Sequence, residues 1–491
     1  MLVRKPHTAR RREGEGGGEK ARGAATTGAA TASATAADAA TAGAGRRRRV
    51  LTVMAVALAV TAASVALGAR GDEDPGTRAA PALAASVPVD QLTSRDLAQG
   101  IASLQKHLKD HPKDATGWAT LGAAYVEDAR TSGDPTRYPQ AEKAFTRSLA
   151  LRPADENDTA LAGRSALAAA RHDFPAALAQ ADRALRVNPY SERALSTRVD
   201  ALVELGRYDE ASQAVELADR RRPGLPVFTR YAYVQELTGD TEGARDVLLR
   251  ALDSASSTAD TAYVATALGQ LAWSQGQYAD ALDHFGAALR ADPQYLPALE
   301  GRGRTYAAQG RTEQALTALE EVVRRYPLPG QLAALGELQE VAGEPEKAEE
   351  QYQLVGVWTK LARANGVATD LESALIEADH GDPAEALKAA RAEWSRRESV
   401  HTADALAWAL HANGKDREAL AYAKKATAAT PGYRNAQFLY HRGMIQHALG
   451  DTGAARRDLT AALDLNPGFS PTGAREARDT LRKPTREGEG E

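Results

Sequence analysis

Seven prolines, Pro153, Pro189, Pro223, Pro293, Pro327, Pro431 and Pro467, stand 36, 34, 70, 34, 104 and 36 residues apart, intervals close to one, two or three lengths of about 35. Twelve residues before each lies an alanine: Ala141, Ala177, Ala211, Ala281, Ala315, Ala419 and Ala455. In most units a glycine precedes that alanine by five residues, at Gly206, Gly276, Gly310, Gly414 and Gly450. Proline cannot continue a helix, and glycine adopts the left-handed conformation that ends one. Each unit therefore reads as two helices joined by a Gly-containing turn and closed by a proline. One such pair cannot bury its apolar stripe alone, so a period of this length specifies stacked pairs.

The residues inside the period resemble the tetratricopeptide repeat family. WATLGAAY (118–125) carries the Trp, Leu-Gly and Tyr at the family's spacing, and AEKAFTRSLALRP (141–153) supplies the matching Ala, Phe, small residue and Pro. Related units are ALSTRVDALVELGRYDEASQAVELADRRRP (194–223), ALGQLAWSQGQYADALDHFGAALRADP (267–293) and LEGRGRTYAAQGRTEQALTALEEVVRRYP (299–327). About ten repeats fit residues 115–470, after a half unit, DLAQGIASLQKHLKDHP (96–112), with TGAREARDTLRK (472–483) as a polar capping helix. The resemblance implies an all-α, right-handed superhelical solenoid over 94–470 whose first helices line the concave side. Small residues such as Gly122 and Ala141 let paired backbones approach, while Trp118, Leu121, Tyr125 and Phe145 fill the space around them. The first unit departs from the pattern, with about seven extra residues in its turn, VEDARTSGDPTRYPQ (126–140). The unit at 367–397 lacks good packing residues on its first helix.

The N-terminal region has another character. Residues 1–49 hold eleven Lys/Arg against four Asp/Glu and almost no large apolar side chain, which predicts a disordered basic tail. VLTVMAVALAVTAASVALGA (50–69) contains no charge, and as a helix its 20 residues span about 30 Å, the thickness of a hydrocarbon core. Arg46 to Arg49 precede it and the acidic GDEDPG (71–76) follows. The positive-inside bias then predicts a single-pass anchor with a cytoplasmic N-terminus, a linker over 70–93 and extracytoplasmic repeats. Secretion after signal-peptide cleavage is the alternative, since Ala66 and Gly68 could supply a processing site. Residues 471–491 are expected to form the cap and a frayed tail.

Residues 50–491 carry 50 basic against 61 acidic residues, a poor match for nucleic acid, whose binding rests on cations that neutralise phosphates. Cysteine is absent, which excludes disulfides, Cys-ligated zinc, iron–sulfur clusters and a Cys nucleophile. No G-x-x-x-x-G-K-S/T, H-E-x-x-H or G-x-S-x-G motif occurs, and Gly301 with Gly303 reads as helix packing. The expectation is a non-enzymatic scaffold without a cofactor that holds a protein or peptide partner in its groove. Alternatives are an assembly scaffold acting through its edges and an apocytochrome-binding factor. The latter rests on LQKHLKDHPKDATGWATLGAAYVED (104–128), which resembles the opening of repeat domains that act in cytochrome c maturation. Groove positions such as Ser196, Asp200, Thr266, Gln270, Glu300 and Arg304 lack the Lys and Asn that grip a C-terminal carboxylate in the family's best-known peptide-binding variant.

Four of the ten histidines fall on neighbouring first helices. HTADALAWALHANG (401–414) points His401, Asp404, Trp408 and His411 one way, and FLYHRGMIQHALG (438–450) points Tyr440, His441, Met444 and His447 the same way. Three readings fit: a mildly polar scaffold surface, a peptide site that responds near pH 6 as imidazoles charge, or a transition-metal site with His, Asp and Met ligands.

Overall fold

The computed structural model describes residues 94–483 except 429 and 431. The basic tail, the apolar run 50–69, the linker to residue 93 and the last eight residues lie outside the described residues, so the anchor expectation falls there. Among the described residues no helix is long and apolar enough to cross a membrane.

Those residues form twenty-two α-helices and no strand. After α1 (Ser94–Asp110) come ten antiparallel pairs: α2 (Ala115–Ser132) with α3 (Arg137–Leu151), α4 (Asp158–Ala170) with α5 (Phe174–Val187), α6 (Glu192–Glu204) with α7 (Tyr208–Arg221), α8 (Leu225–Leu237) with α9 (Thr241–Asp253), and α10 (Thr258–Ser274) with α11 (Tyr278–Ala291). The second five are α12 (Leu296–Ala308) with α13 (Thr312–Arg325), α14 (Pro329–Val341) with α15 (Pro345–Ala364), α16 (Asp370–His380) with α17 (Pro383–Arg396), α18 (Val400–Ala412) with α19 (Asp416–Ala428), and α20 (Ala436–Ala448) with α21 (Thr452–Leu465). A single helix, α22 (Pro471–Arg482), closes the array.

The five predicted glycines, joined by Gly239 and Gly343, end the first helix of a pair. Gly206, Gly239, Gly276, Gly310, Gly343, Gly414 and Gly450 all have φ between 66° and 87°. In each, the next amide reaches back to an orphan carbonyl of the last turn, as Arg207 N does to Leu202 O at 2.9 Å and Arg311 N to Tyr306 O at 2.9 Å. Within and between pairs, glycine makes room for an aromatic ring. A Cβ on Gly122 would lie 2.6 Å from Phe145, and one on Gly163 2.2 Å from the same ring. Gly269 and Gly301 flank Phe285 equally closely, at 2.6 and 2.3 Å, which confirms Gly301 as a packing residue.

The extra residues of the first unit are not a longer turn. They continue α2 through Ser132, where Arg137 pairs with Asp128 at 2.7 Å and Gly133 ends the helix at φ 71°. The reason lies far along the chain, since Tyr326 donates to Arg130 O at 2.5 Å and Leu328 packs against Gly133.

That contact begins a regular seam. With the pairs numbered 1 to 10, the turn inside pair n meets the loop leading into the element six places later. For pair 2, Ala368 N donates to Arg171 O at 2.9 Å and His172 Nδ1 lies 2.8 Å from Ala368 O. For pair 3, Val400 N donates to Tyr208 OH at 2.9 Å, and Arg397 joins Glu204 and Glu393 in a buried ion pair over the Phe174 ring. For pair 4, Gly239 abuts Gly432. For pair 5, Asn466 Nδ2 donates to Trp273 O at 2.9 Å and Gly468 N donates to Tyr278 OH at 2.7 Å. The hydrogen-bonded partners of pairs 1, 2, 3 and 5 stand 188 to 197 residues apart, so the solenoid returns on itself after between five and six pairs.

The seam divides otherwise equivalent glycines. A Cβ on Gly206 would sit 2.3 Å from Glu398 O and one on Gly276 2.6 Å from Leu465 O, whereas Gly310, Gly343, Gly414 and Gly450 have nothing within 4 Å. In pair 2 the glycine is replaced by His172 at φ 59°, a conformation costing about 1–2 kcal/mol for a side-chain-bearing residue, held by the Ala368 hydrogen bond and by stacking on Phe174. Alanine at Gly414 or Gly450 should cost only the backbone strain, about 1 kcal/mol. Alanine at Gly206 or Gly276 should cost more and speed amide exchange in the facing loop. Urea melts and hydrogen exchange of the four variants check this; four equal losses would mean that the seam contributes nothing.

Candidate functional site

The second turn of the coil brings α18, α20 and α22 side by side. Each starts from a side-chain cap: Ser399 forms a capping box with Thr402, Asn435 accepts from Phe438 N, and Ser470 accepts from Gly473 N. Within α20, Gly443 faces Leu459 of its partner helix, 2.8 Å from where a Cβ would stand, which leaves Tyr440, His441 and Met444 on the other side.

The eight residues singled out in the sequence fall into two groups. Asp404, Trp408, Tyr440, His441 and Met444 are all buried. Trp408 stacks on His441, with ring centroids 4.1 Å apart and planes 14° from parallel. His441 Nδ1 lies 2.9 Å from Asp404 Oδ2, and its Nε2 lies 3.0 Å from Gln437 Nε2. A donating Gln437 amide makes Nε2 the acceptor and Nδ1–H the donor to Asp404, so both ring nitrogens are satisfied. Tyr440 OH donates to Glu476 Oε2 at 2.6 Å, and Thr480 donates to the Met444 sulfur at 3.9 Å. The remaining three keep exposed atoms. His401 lies 3.3 Å from Tyr233 OH, and burial holds its pKa below the usual histidine value. His411 Nδ1 is 2.5 Å from Asp416 Oδ1, and His447 projects into solvent. Among the described residues no group of three or more His, Asp or Glu is placed to hold a metal ion.

Sequence reasoning did not single out the carboxylates that surround this cluster. Asp379, near the end of α16, accepts from Trp408 Nε1 at 2.6 Å. Glu337 on α14 accepts from Ser470 Oγ at 3.1 Å, and Glu340 lies 3.4 Å from Tyr352 OH and 3.9 Å from His380 Nδ1. Together with Glu476 they gather four acids around Trp408, Tyr440, Tyr352 and His380. Glu337, Asp379 and Glu476 form no ion pair among the described residues. Burial, with the Asp379 charge second, pushes the Glu337 carboxyl up to about 7. Burial and the same carboxylates raise the Tyr440 and Tyr352 phenols far above their usual range. The i, i+3 spacing of Glu337 and Glu340 on a first helix was the available signal.

Elsewhere on the first helices, charges are compensated between neighbours. Arg230 grips Asp200 through two hydrogen bonds of 2.8 and 2.7 Å, and Glu300 receives Arg304 at 2.9 Å and Gln331 at 2.8 Å. Ser196 and Thr266 are buried.

A tetratricopeptide repeat profile matches residues 161–226, 266–328, 300–356 and 404–468. Those stretches are similar to tetratricopeptide repeats. Similar solved structures include the APC/C hetero-tetramer Cut9–Hcn1, at 13% identity over 79% of this chain and 93% of that one, with a TM-score of 0.38. Another is the human IFIT1 dimer with m7Gppp-AAAA, at 18% identity over 68% and 78%, with a TM-score of 0.42. A third, a tetratricopeptide repeat protein from Parabacteroides merdae, is 21% identical over 53% of this chain and 99% of that one, with a TM-score of 0.31. These likenesses concern the repeat fold alone. No curated protein matches the chain. The profile omits the first repeat, the pair α8 with α9 and the repeat at 367–397.

The Glu337 carboxyl supplies a test of this site. Its folded pKa of about 7 lies above the usual 4.5, so the folded state binds the extra proton. Stability from this group is then full below pH 4.5 and declines as pH rises through 7. Glu337→Gln should flatten the parent's loss of stability across that window. Denaturation midpoints with identical pH slopes in parent and variant would show that Glu337 ionises normally.

Proposed function

We propose that this tetratricopeptide repeat chain is a non-enzymatic scaffold that holds a protein or peptide segment against its inner helix faces, and that the segment is basic. The observation that carries the reading is the group of four acids, Glu337, Glu340, Asp379 and Glu476, around an aromatic wall that includes Trp408 and Tyr440. The Asp379 and Glu476 carboxylates, which form no ion pair among the described residues, stand beside the Trp408 and Tyr440 rings, a combination that attracts Lys or Arg by charge and by cation–π contact. His401, His411 and His447 border this region, and the buried members of the eight-residue set give it rigidity. Because the seam occupies the edges of pairs 1 to 5 and the loops beyond pair 6, the inner face is favoured over the edges as the partner surface.

A peptide array probed with the full chain should enrich Lys/Arg-containing peptides. Asp379→Asn with Glu476→Gln, which keeps the acceptors for Trp408 and Tyr440, should weaken capture about tenfold without lowering the melting temperature. Enrichment without basic residues, or capture unchanged in the double variant, rules out the acidic site.

The reading extends to location. Residues 50–69, flanked by Arg46 to Arg49, are proposed to anchor the chain in a membrane with the repeats on the extracytoplasmic side. Protease added to intact spheroplasts should then digest the repeats and spare an N-terminal tag; protected repeats would refute this orientation.

A further inference from the structure

The seam of pair 5 borders a cavity of about 620 Å³, within the usual range of about 300–1,000 Å³ for ligand pockets. Its lining includes Gln275, Arg434, Arg456, Arg457, Thr460 and Asp464. Gln275 belongs to the turn after α10, Arg434 to the loop before α20, and the others to α21. The adjoining seam is held by the Asn466 to Trp273 and Gly468 to Tyr278 hydrogen bonds.

None of the three arginines makes an ion pair among the described residues, although Arg442 on the neighbouring α20 grips Asp458 with bonds of 2.6 Å. Among the described residues the one side-chain hydrogen bond from the trio runs from Arg456 Nη1 to Leu481 O at 3.0 Å. The residue after the packing alanine is Leu178, Leu282, Leu316, Leu387 or Leu420 in five pairs and polar in the other five, among them Arg456. Packing therefore does not require a cation at this position.

We propose that this cleft binds an acidic peptide segment. Guanidinium groups from two elements converge on one cavity in the geometry that suits carboxylates. Thr460 and Asp464 on the same wall can donate to and accept from a peptide backbone. Three cations are few against a phosphate backbone, so a nucleic acid fits the site poorly. The site is separate from the acidic inner face and opposite to it in charge.

The test is fluorescence anisotropy of a short labelled Glu-rich peptide with the full chain at low salt. Saturable binding that falls at least tenfold in Arg434→Gln/Arg456→Gln/Arg457→Gln, and weakens with added salt, is expected. Arg434→Glu, a loop change distant from the helix core, should give the same direction of effect with an unchanged melt. A labelled Lys-rich peptide should be insensitive to these changes. Absence of binding, retention of affinity in both variants, or tighter binding of single-stranded DNA than of the peptide at this cleft overturns the proposal.

Discussion

The return of the coil onto itself is the constraint from which the other features of the structure follow. In an open solenoid each repeat touches only its neighbours, and stability is a sum of local terms. Here pair 1 also meets the entry to pair 7, and so on to pair 5 and the entry to α22. Hydrogen bonds between residues 188 to 197 apart couple repeats that would otherwise fold and fray independently. Such contacts carry a loop-closure cost and slow folding, but they bind the first half of the array to the second. Left-handed glycines make the approach close enough, with backbone meeting backbone at Gly206 and Gly239.

Enclosure changes the chemistry of the inner face. Carboxylates that would be unremarkable on an open groove are crowded by first helices from several pairs. The result is a half-desolvated strip in which Glu337 holds its proton near neutral pH and Trp408 is clamped between Asp379 and His441. The compensated pairs at Asp200 with Arg230 and Glu300 with Arg304 mark where the same surface is internally neutral. Charge is thus concentrated at one end of the inner face instead of spread along it.

Much of the fold was legible because helix pairing is a local matter. The proline, alanine and glycine register located the two helices of each pair, and the interior glycines announced close packing that Phe145 and Phe285 now fill. The extension of α2 was hidden because its reason, Tyr326, lies far along the chain. His172 likewise occupies a glycine position for the sake of Ala368. At the candidate site Tyr440, His441 and Met444, expected to project into a groove, are buried, because whether that face lies open or packed depends on how tightly the array curves. Curvature is set by small rotations at every interface and leaves no single-residue mark.

Because the chain is wound with its turns in register, tension between its ends would load two kinds of contact very differently. The seam is a row of isolated hydrogen bonds and one ion-pair cluster, while each helix pair is held by a broad apolar face around Phe or Leu side chains. Stretching therefore peels the seam first and leaves the pairs intact, so length is gained by uncoiling before any helix is lost. The molecule has the mechanics of a spring with a latch: stiff while Tyr208, Tyr278 and Arg397 hold, compliant once they release, and able to rewind because the units that carry the register never unfolded.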